Sequence, residues 1–146
     1  MRVVLDASVA IRWLSGDGSP VDQDYARMVL LSFSGMDVEA AVPSLWHLEL
    51  SNVVARSLRT GLIDEDRASR FKRHVANLPI TVDPLTANMA PGDTLTLAGR
   101  HRLTSYDACY LELSLRLGCP LATLDKDLRR ALAAAGGTLF TAEASA

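Results

Sequence analysis

Four acids occupy positions where apolar strand and helix patterns would present them for chemistry: Asp6, Glu49, Asp107 and Asp125. Asp6 directly follows the run Val3-Val4-Leu5, and a charge at the end of so apolar a strand has no propensity argument in its favour. Glu49 lies among Leu48, Leu50, Val53 and Val54, in the second turn of an expected helix, where an ionised carboxylate is costly to bury unless it is paired or bound to a metal. Asp107 falls in the first turn of a later helix and Asp125 just after a short apolar strand. Taken singly, Asp125 also suits a helix cap, and Asp107 a first-turn acid placed for the helix dipole. Taken together, carboxylates converging on one edge repel by up to about 4 kcal/mol per close pair at an effective dielectric of 20. A divalent cation removes that conflict. All-oxygen donors with no His or Cys cluster nearby select Mg²⁺ or Mn²⁺ over Zn²⁺. Such an ion suits activation of water against a phosphodiester, with neutralisation of charge on the leaving oxygen.

Ser8 and Thr123 each stand two residues from one of these acids, where a hydroxyl can orient a carboxylate or a bound water. Asn52, about one helical turn after Glu49, can do likewise. For each of the three, an ordinary cap or turn role is the alternative. Asp127 rivals Asp125, but a helix start makes it solvent-facing. His47, His74 and His101 are scattered at no ligand spacing and read as surface or core fillers.

The elements that must position these residues follow from periodicity. Strands are expected at Val3–Leu5, Ala40–Val42, Pro79–Val82 and Pro120–Leu124, with a fifth at Thr138–Phe140. Between them lie helices at Ala7–Leu14, Tyr25–Phe33, from Ser44 as N-cap to Thr60, from the acids Asp64–Asp66 to the bases Lys72–His74, and from Ser105 as cap to Leu117. Leu128 and Leu132 mark a last helix. The segment Ser15–Pro20 reads as loop, and Pro91-Gly92 should kink or split the helix between Leu85 and His101. Short apolar strands alternating with longer amphipathic helices indicate a three-layer α/β/α sandwich around a mostly parallel sheet of four to five strands. In such a sheet ligands bind outside the carboxyl ends of the strands, the level at which these acids stand.

Composition narrows the class. The chain of 146 residues is 49% hydrophobic and 22% charged, enough for one core spanning 1–146, with an Ala-rich tail from about 141 expected to fray. A net charge of -2 attracts no nucleic acid globally, so any such binding needs a local patch or a metal. Along a helix, Cys109 and Cys119 would stand roughly 14 Å apart at 1.5 Å per residue, whereas a disulfide needs about 4.4–6.8 Å. They read as buried free thiols in a reducing compartment. Asp6 interrupts the first apolar run before it can serve as a secretory signal, and no stretch approaches a transmembrane span, so a cytoplasmic domain is expected.

The segments VVLDASVAIRWL with Asp6 and Ser8, WHLELSNVV with Glu49 and Asn52, and LTSYDACYLELSLRLGCPLATLDKDL with Asp107, Thr123 and Asp125 resemble the PIN-domain nucleases. Within these, they are similar to the VapC toxins of type II toxin–antitoxin modules. The likeness runs from the first strand to about Leu132. It implies a Mg²⁺-dependent endoribonuclease, often a homodimer, held inactive by a cognate antitoxin whose tail occupies the acidic site. It also implies metal on Asp6 and Asp107, with Glu49 and Asp125 completing the catalytic set. An acidic pocket is a natural acceptor for an antitoxin Arg or Lys. RNA would be held by rim bases, for which Arg12, Arg56 and Arg59 are candidates; ordinary solvated charge is the alternative.

Three other classes share parts of this pattern. A phosphoacceptor receiver domain also gathers acids at a parallel sheet, but it wants paired acids after the first strand, and Asp6 is followed by Ala7. A phosphatase of the haloacid dehalogenase type wants a second Asp where Ser8 stands. A catalytically silent nucleic-acid-binding domain would keep the acids as structure.

Overall fold

The computed structural model describes residues 1–35 and 37–141. The expected fraying of the Ala-rich tail falls at its edge and, from 142 on, outside the described residues.

Four parallel strands, β1 (Arg2–Leu5), β2 (Glu39–Val42), β3 (Ile80–Val82) and β4 (Leu121–Ala122), form one sheet in the order β3-β2-β1-β4. Val3 and Val4 pair with Ala40 and Ala41, and Val4 and Leu5 with Leu121 and Ala122, so β1 is hydrogen-bonded on both sides. Its Val3, Val4 and Leu5 are fully buried, which explains a continuous apolar run rather than an alternating one. The fifth strand shrinks to a single parallel bridge, Leu121 to Leu139. β4 itself spans only two residues of the expected Pro120–Leu124. Its flanking backbone is still engaged: Pro120 accepts from the Val4 amide, and Thr123 and Leu124 turn toward the loop that follows β1.

Helices α1 (Ala7–Ser15) and α2 (Pro20–Ser32) connect β1 to β2, and α3 (Trp46–Arg59) and α4 (Glu65–Ala76) connect β2 to β3. Both crossovers step the same way along the sheet. The path from β3 to β4 reverses direction, through α5 (Thr86–Met89), a π-turn (Ala90–Thr94), α6 (Leu95–His101) and α7 (Ser105–Leu117). Right-handed crossovers of opposite direction cover opposite faces. Accordingly α1 packs on α2, α3 and α4, while α7 packs on β1, α6 and α8 (Lys126–Ala134). The reversal puts the switch point of the sheet between β1 and β4, where open α/β sheets form their crevice.

Several helix starts differ from the sequence reading for local reasons. α2 begins at Pro20, because Ser19 caps it through the Asp22 amide and proline is well suited to the first helical position. Ser44 does not cap α3: its amide donates to Thr86 Oγ1, Leu45 is the N-cap, and Glu49 therefore falls in the first turn rather than the second. Thr104, not Ser105, caps α7 by accepting from the Asp107 amide. Pro91 lacks the N–H of a regular helical turn, and the chain widens into the π-turn between α5 and α6 instead of stopping. Gly118, at φ 63°, ends α7 in the left-handed conformation that an unbranched backbone adopts at low cost. Cys109 and Cys119 are free but half-buried rather than buried. Among the described residues no helix is long and apolar enough to cross a membrane.

Candidate active site

Asp6 ends β1 and begins α1, at the switch point of the sheet, and only 3% of it is exposed. Its Oδ2 accepts from the Ser8 hydroxyl at 2.6 Å and the Thr123 hydroxyl at 2.7 Å. Each hydroxyl also accepts a backbone amide, Ser8 from Leu124 at 3.0 Å and Thr123 from Asp125 at 3.1 Å. One carboxylate oxygen thus joins the loop after β1 to the loop after β4. Ser8 thus orients the acid two residues before it, as its spacing predicts, whereas the Thr123 hydroxyl turns to Asp6 and receives only the backbone amide of Asp125.

The other acids arrive from three helices. Asp107 sits in the first turn of α7, and Glu49, half-buried in the first turn of α3, receives the Tyr110 phenol on Oε1. Asp125 caps α8, its Oδ1 accepting from the Leu128 amide at 2.8 Å. The capping role is thus realised, and Asp125 still acts electrostatically on both Asp6 and Asp107.

Mutual effects on protonation show that the four form one electrostatic neighbourhood. Asp6 is raised to about 6, by burial first, with the Ser8 and Thr123 hydrogen bonds opposing the rise and Glu49 and Asp125 adding to it. Asp107 is also raised to about 6, by burial first and then by Asp125, Asp6 and Asp127. Glu49 is raised by burial and by Asp107, against the Tyr110 hydrogen bond. Asp127 is exposed and stands 3.7 Å from Arg130, so it acts at a distance. Among the described residues, no three His, Cys, Asp or Glu side chains are drawn tightly enough together to form a ready cage for an ion. Asp6, Glu49 and Asp125 are instead each tied to protein donors. The donor chemistry still fits a hard divalent cation, being all carboxylate and partly desolvated.

Other expectations fare differently. Asn52 is exposed on α3. Arg12 lies in the last turn of α1, at the opposite end from Asp6, with its guanidinium against Gly18. Arg56 and Arg59 are in the last turn of α3, roughly 10 and 15 Å along the helix from Glu49 at 1.5 Å per residue. Helix length therefore separates all three arginines from the acids. His47 and His74 lie at the surface, each edge-on to a tryptophan, Trp46 and Trp13. An apolar groove of about 480 Å³ between α3 and α4 includes Leu50, Val54 and Val75, and none of the four acids lines it.

Three supporting side chains escape sequence reasoning. Tyr110 reads as core in an apolar helix. Arg129 donates from Nε to the Thr123 carbonyl at 2.8 Å and lies over the Tyr25 ring at 4.8 Å, holding the β4 loop from behind. Arg116 binds Asp83 and Glu112 together. Only the i,i+4 spacing of Glu112 and Arg116 signals this in sequence; Asp83 is distant in the chain.

A parallel-sheet α/β fold with acids gathered at its switch point defines the class. The chain belongs to the PIN-domain family, whose model matches residues 3–133. It is 31% identical over 80 residues to Ribonuclease VapC3 of Pyrobaculum aerophilum, a match covering 55% of this chain and 61% of that relative's length. Among solved structures, it resembles PAE2754 from Pyrobaculum aerophilum with a TM-score of 0.63 and 21% identity, over 90% of this chain and 84% of that one. It also resembles VapBC2 from Rickettsia felis, solved bound to a DNA fragment from its promoter, with a TM-score of 0.61 and 15% identity, over 89% and 92% of the two chains. These two structures bear on the fold alone.

Proposed function

We propose that the chain is a metal-dependent endoribonuclease and the toxin of a type II toxin–antitoxin module. The observation that carries this reading is Asp6, a buried carboxylate at the switch point, oriented by two hydroxyls and electrostatically linked to Glu49, Asp107 and Asp125. Family membership and the likeness to a relative named as a ribonuclease support the RNA substrate. Asp6 and Asp107 would hold Mg²⁺ or Mn²⁺, with Glu49 and Asp125 completing the set. When bound, the cation supplies Lewis acidity toward a phosphate oxygen and activates water for attack on phosphorus.

The chain's own residues do the rest. Ser8 and Thr123 fix the rotamer of Asp6, so its charge needs no reorganisation when the cation or substrate arrives. The charge of the acids repels RNA phosphates in the absence of the ion, which makes binding of substrate conditional on the metal. A cognate antitoxin inserting an Arg or Lys would satisfy the same oxygens by charge-assisted hydrogen bonds and exclude the ion. The proposal includes a cytoplasmic homodimer, a single domain over 1–146, and control by such a partner.

The test is incubation of purified protein with RNA in Mg²⁺ or Mn²⁺, with chelator and with Asp107→Asn. Cleavage lost in both controls is expected. Cleavage that survives chelation, or equal cleavage by the variant, would sink the metal assignment, and no cleavage at all would favour a silent binding domain. Co-expression with the product of an adjacent antitoxin gene should yield a copurifying, inactive complex. A free protein that is harmless in cells overturns the toxin assignment alone, and sedimentation decides the dimer.

A further inference from the structure

Tyr110 is not one of the acids, yet its hydroxyl lies where three of the elements carrying them meet. The side chain is fully buried on α7, about one helical turn beyond Asp107. Its phenol donates to Glu49 Oε1 on α3 at 2.5 Å. The backbone of Ala7, the residue after Asp6 and the first of α1, lies close by. A phenylalanine would fill the same space in the core. What the hydroxyl adds is directed at Glu49.

We propose that Tyr110 is a positioning residue of the acidic site, its hydroxyl setting Glu49 in register with Asp107. The inference rests on the metal-dependent reading above. Glu49 carries a flexible side chain and is repelled by Asp107, so without a donor it swings toward solvent. The Tyr110 hydrogen bond opposes that movement and keeps the carboxylate where it can serve a cation shared with α7. Because the same helix carries Asp107 and Tyr110, a shift of α7 moves both in concert.

The experiment compares the parent, Tyr110→Phe, Glu49→Gln and the double variant, measuring Mn²⁺ binding by electron paramagnetic resonance and RNA cleavage as separate kcat and KM. Tyr110→Phe is expected to bind Mn²⁺ roughly 10-fold more weakly and, at saturating Mn²⁺, to lose kcat with KM for RNA unchanged. In the Glu49→Gln background the same change should have little further effect, since coupled residues are non-additive. Unchanged Mn²⁺ binding in Tyr110→Phe, or an undiminished loss in the Glu49→Gln background, would overturn the positioning role while leaving the metal reading intact. A parent that takes up no Mn²⁺ overturns both. A phenylalanine variant that cannot fold also counts against the proposal, because the hydroxyl would then serve the core.

Discussion

The Thr123 hydroxyl has two tasks at once: it donates to Asp6 and accepts the amide of Asp125, so it sets one acid directly and the backbone of another. Thr123→Val keeps the shape and removes both bonds. Outer-shell losses of this kind typically lower metal affinity or activity 10–100-fold, and we expect roughly a 10–100-fold fall in RNA cleavage, measured at saturating Mg²⁺. Protonation gives a second expectation at this scale. Asp6 and Asp107 titrate near 6 in the folded protein against an ordinary 3.8, raised mainly by burial. Between those values the folded state holds protons that the unfolded chain has released. Their contribution is therefore fully favourable below about 4 and lost as pH rises through about 6. For buried Asp6 the difference is on the order of 3 kcal/mol. Melting of metal-free protein should shift to lower temperature from about pH 5 to about pH 7.5. A midpoint that instead climbs over that interval would contradict the electrostatic account.

At the scale of elements, α7 bears the most. Thr104 caps it, Asp107 opens it, Tyr110 reaches Glu49, and Arg116 near its end binds two carboxylates: Asp83 at 2.7 and 3.2 Å, and Glu112 at 2.6 and 3.1 Å. Burial alone would raise Asp83, but the Arg116 hydrogen bonds bring it below the ordinary carboxylate range. Arg116→Ala would leave Asp83 and Glu112 buried without a counter-charge, a change that costs about 3–5 kcal/mol in comparable buried pairs. Urea unfolding should show that loss near neutral pH, with partial recovery in acid as the stranded carboxylates take up protons. A loss within about 0.5 kcal/mol, typical of exposed positions, would refute the network's importance. The main strands were readable as apolar runs, and Asp6 and Asp125 stood out because a charge ending such a run breaks a strict pattern, while Glu49 stood out as a charge among aliphatics on a helix. Tyr110 breaks none: its ring continues the apolar face of α7, and only the far end of the ring is functional. The start of α2 was hidden because Ser19-Pro20 has loop composition and helix-start chemistry at once. The joint between Asp83 and Arg116 was unreadable because it depends on how β3 and α7 meet in space.

For the whole molecule, the crossing of β3 to β4 behind β1 is decisive. It brings the loop after β4 beside the loop after β1, and the acids gather because the connectivity reverses there. Gathering charge in this way leaves the metal-free fold with repulsion that a cation can relieve. A ligand that binds only the folded state adds about 2.7 kcal/mol at a hundred times its dissociation constant. Thermal unfolding near neutral pH should therefore move upward with millimolar Mn²⁺ or Mg²⁺ and return on chelation, whereas Asp6→Asn should respond far less. Equal shifts in parent and variant would mean that the ions act elsewhere.

The same connectivity has a consequence in time. Asp6 is synthesised 117 positions ahead of its partner Thr123, and β4 cannot join β1 until the chain between them exists. Contacts that close such long loops form late and slowly. A nascent chain therefore carries its first acid unheld, with Asp107 and Thr123 still to come, while the domain folds from its N-terminal side. On the proposed reading, in which the chain cuts RNA, the site would be complete only after the strand that carries Thr123 has left the exit tunnel.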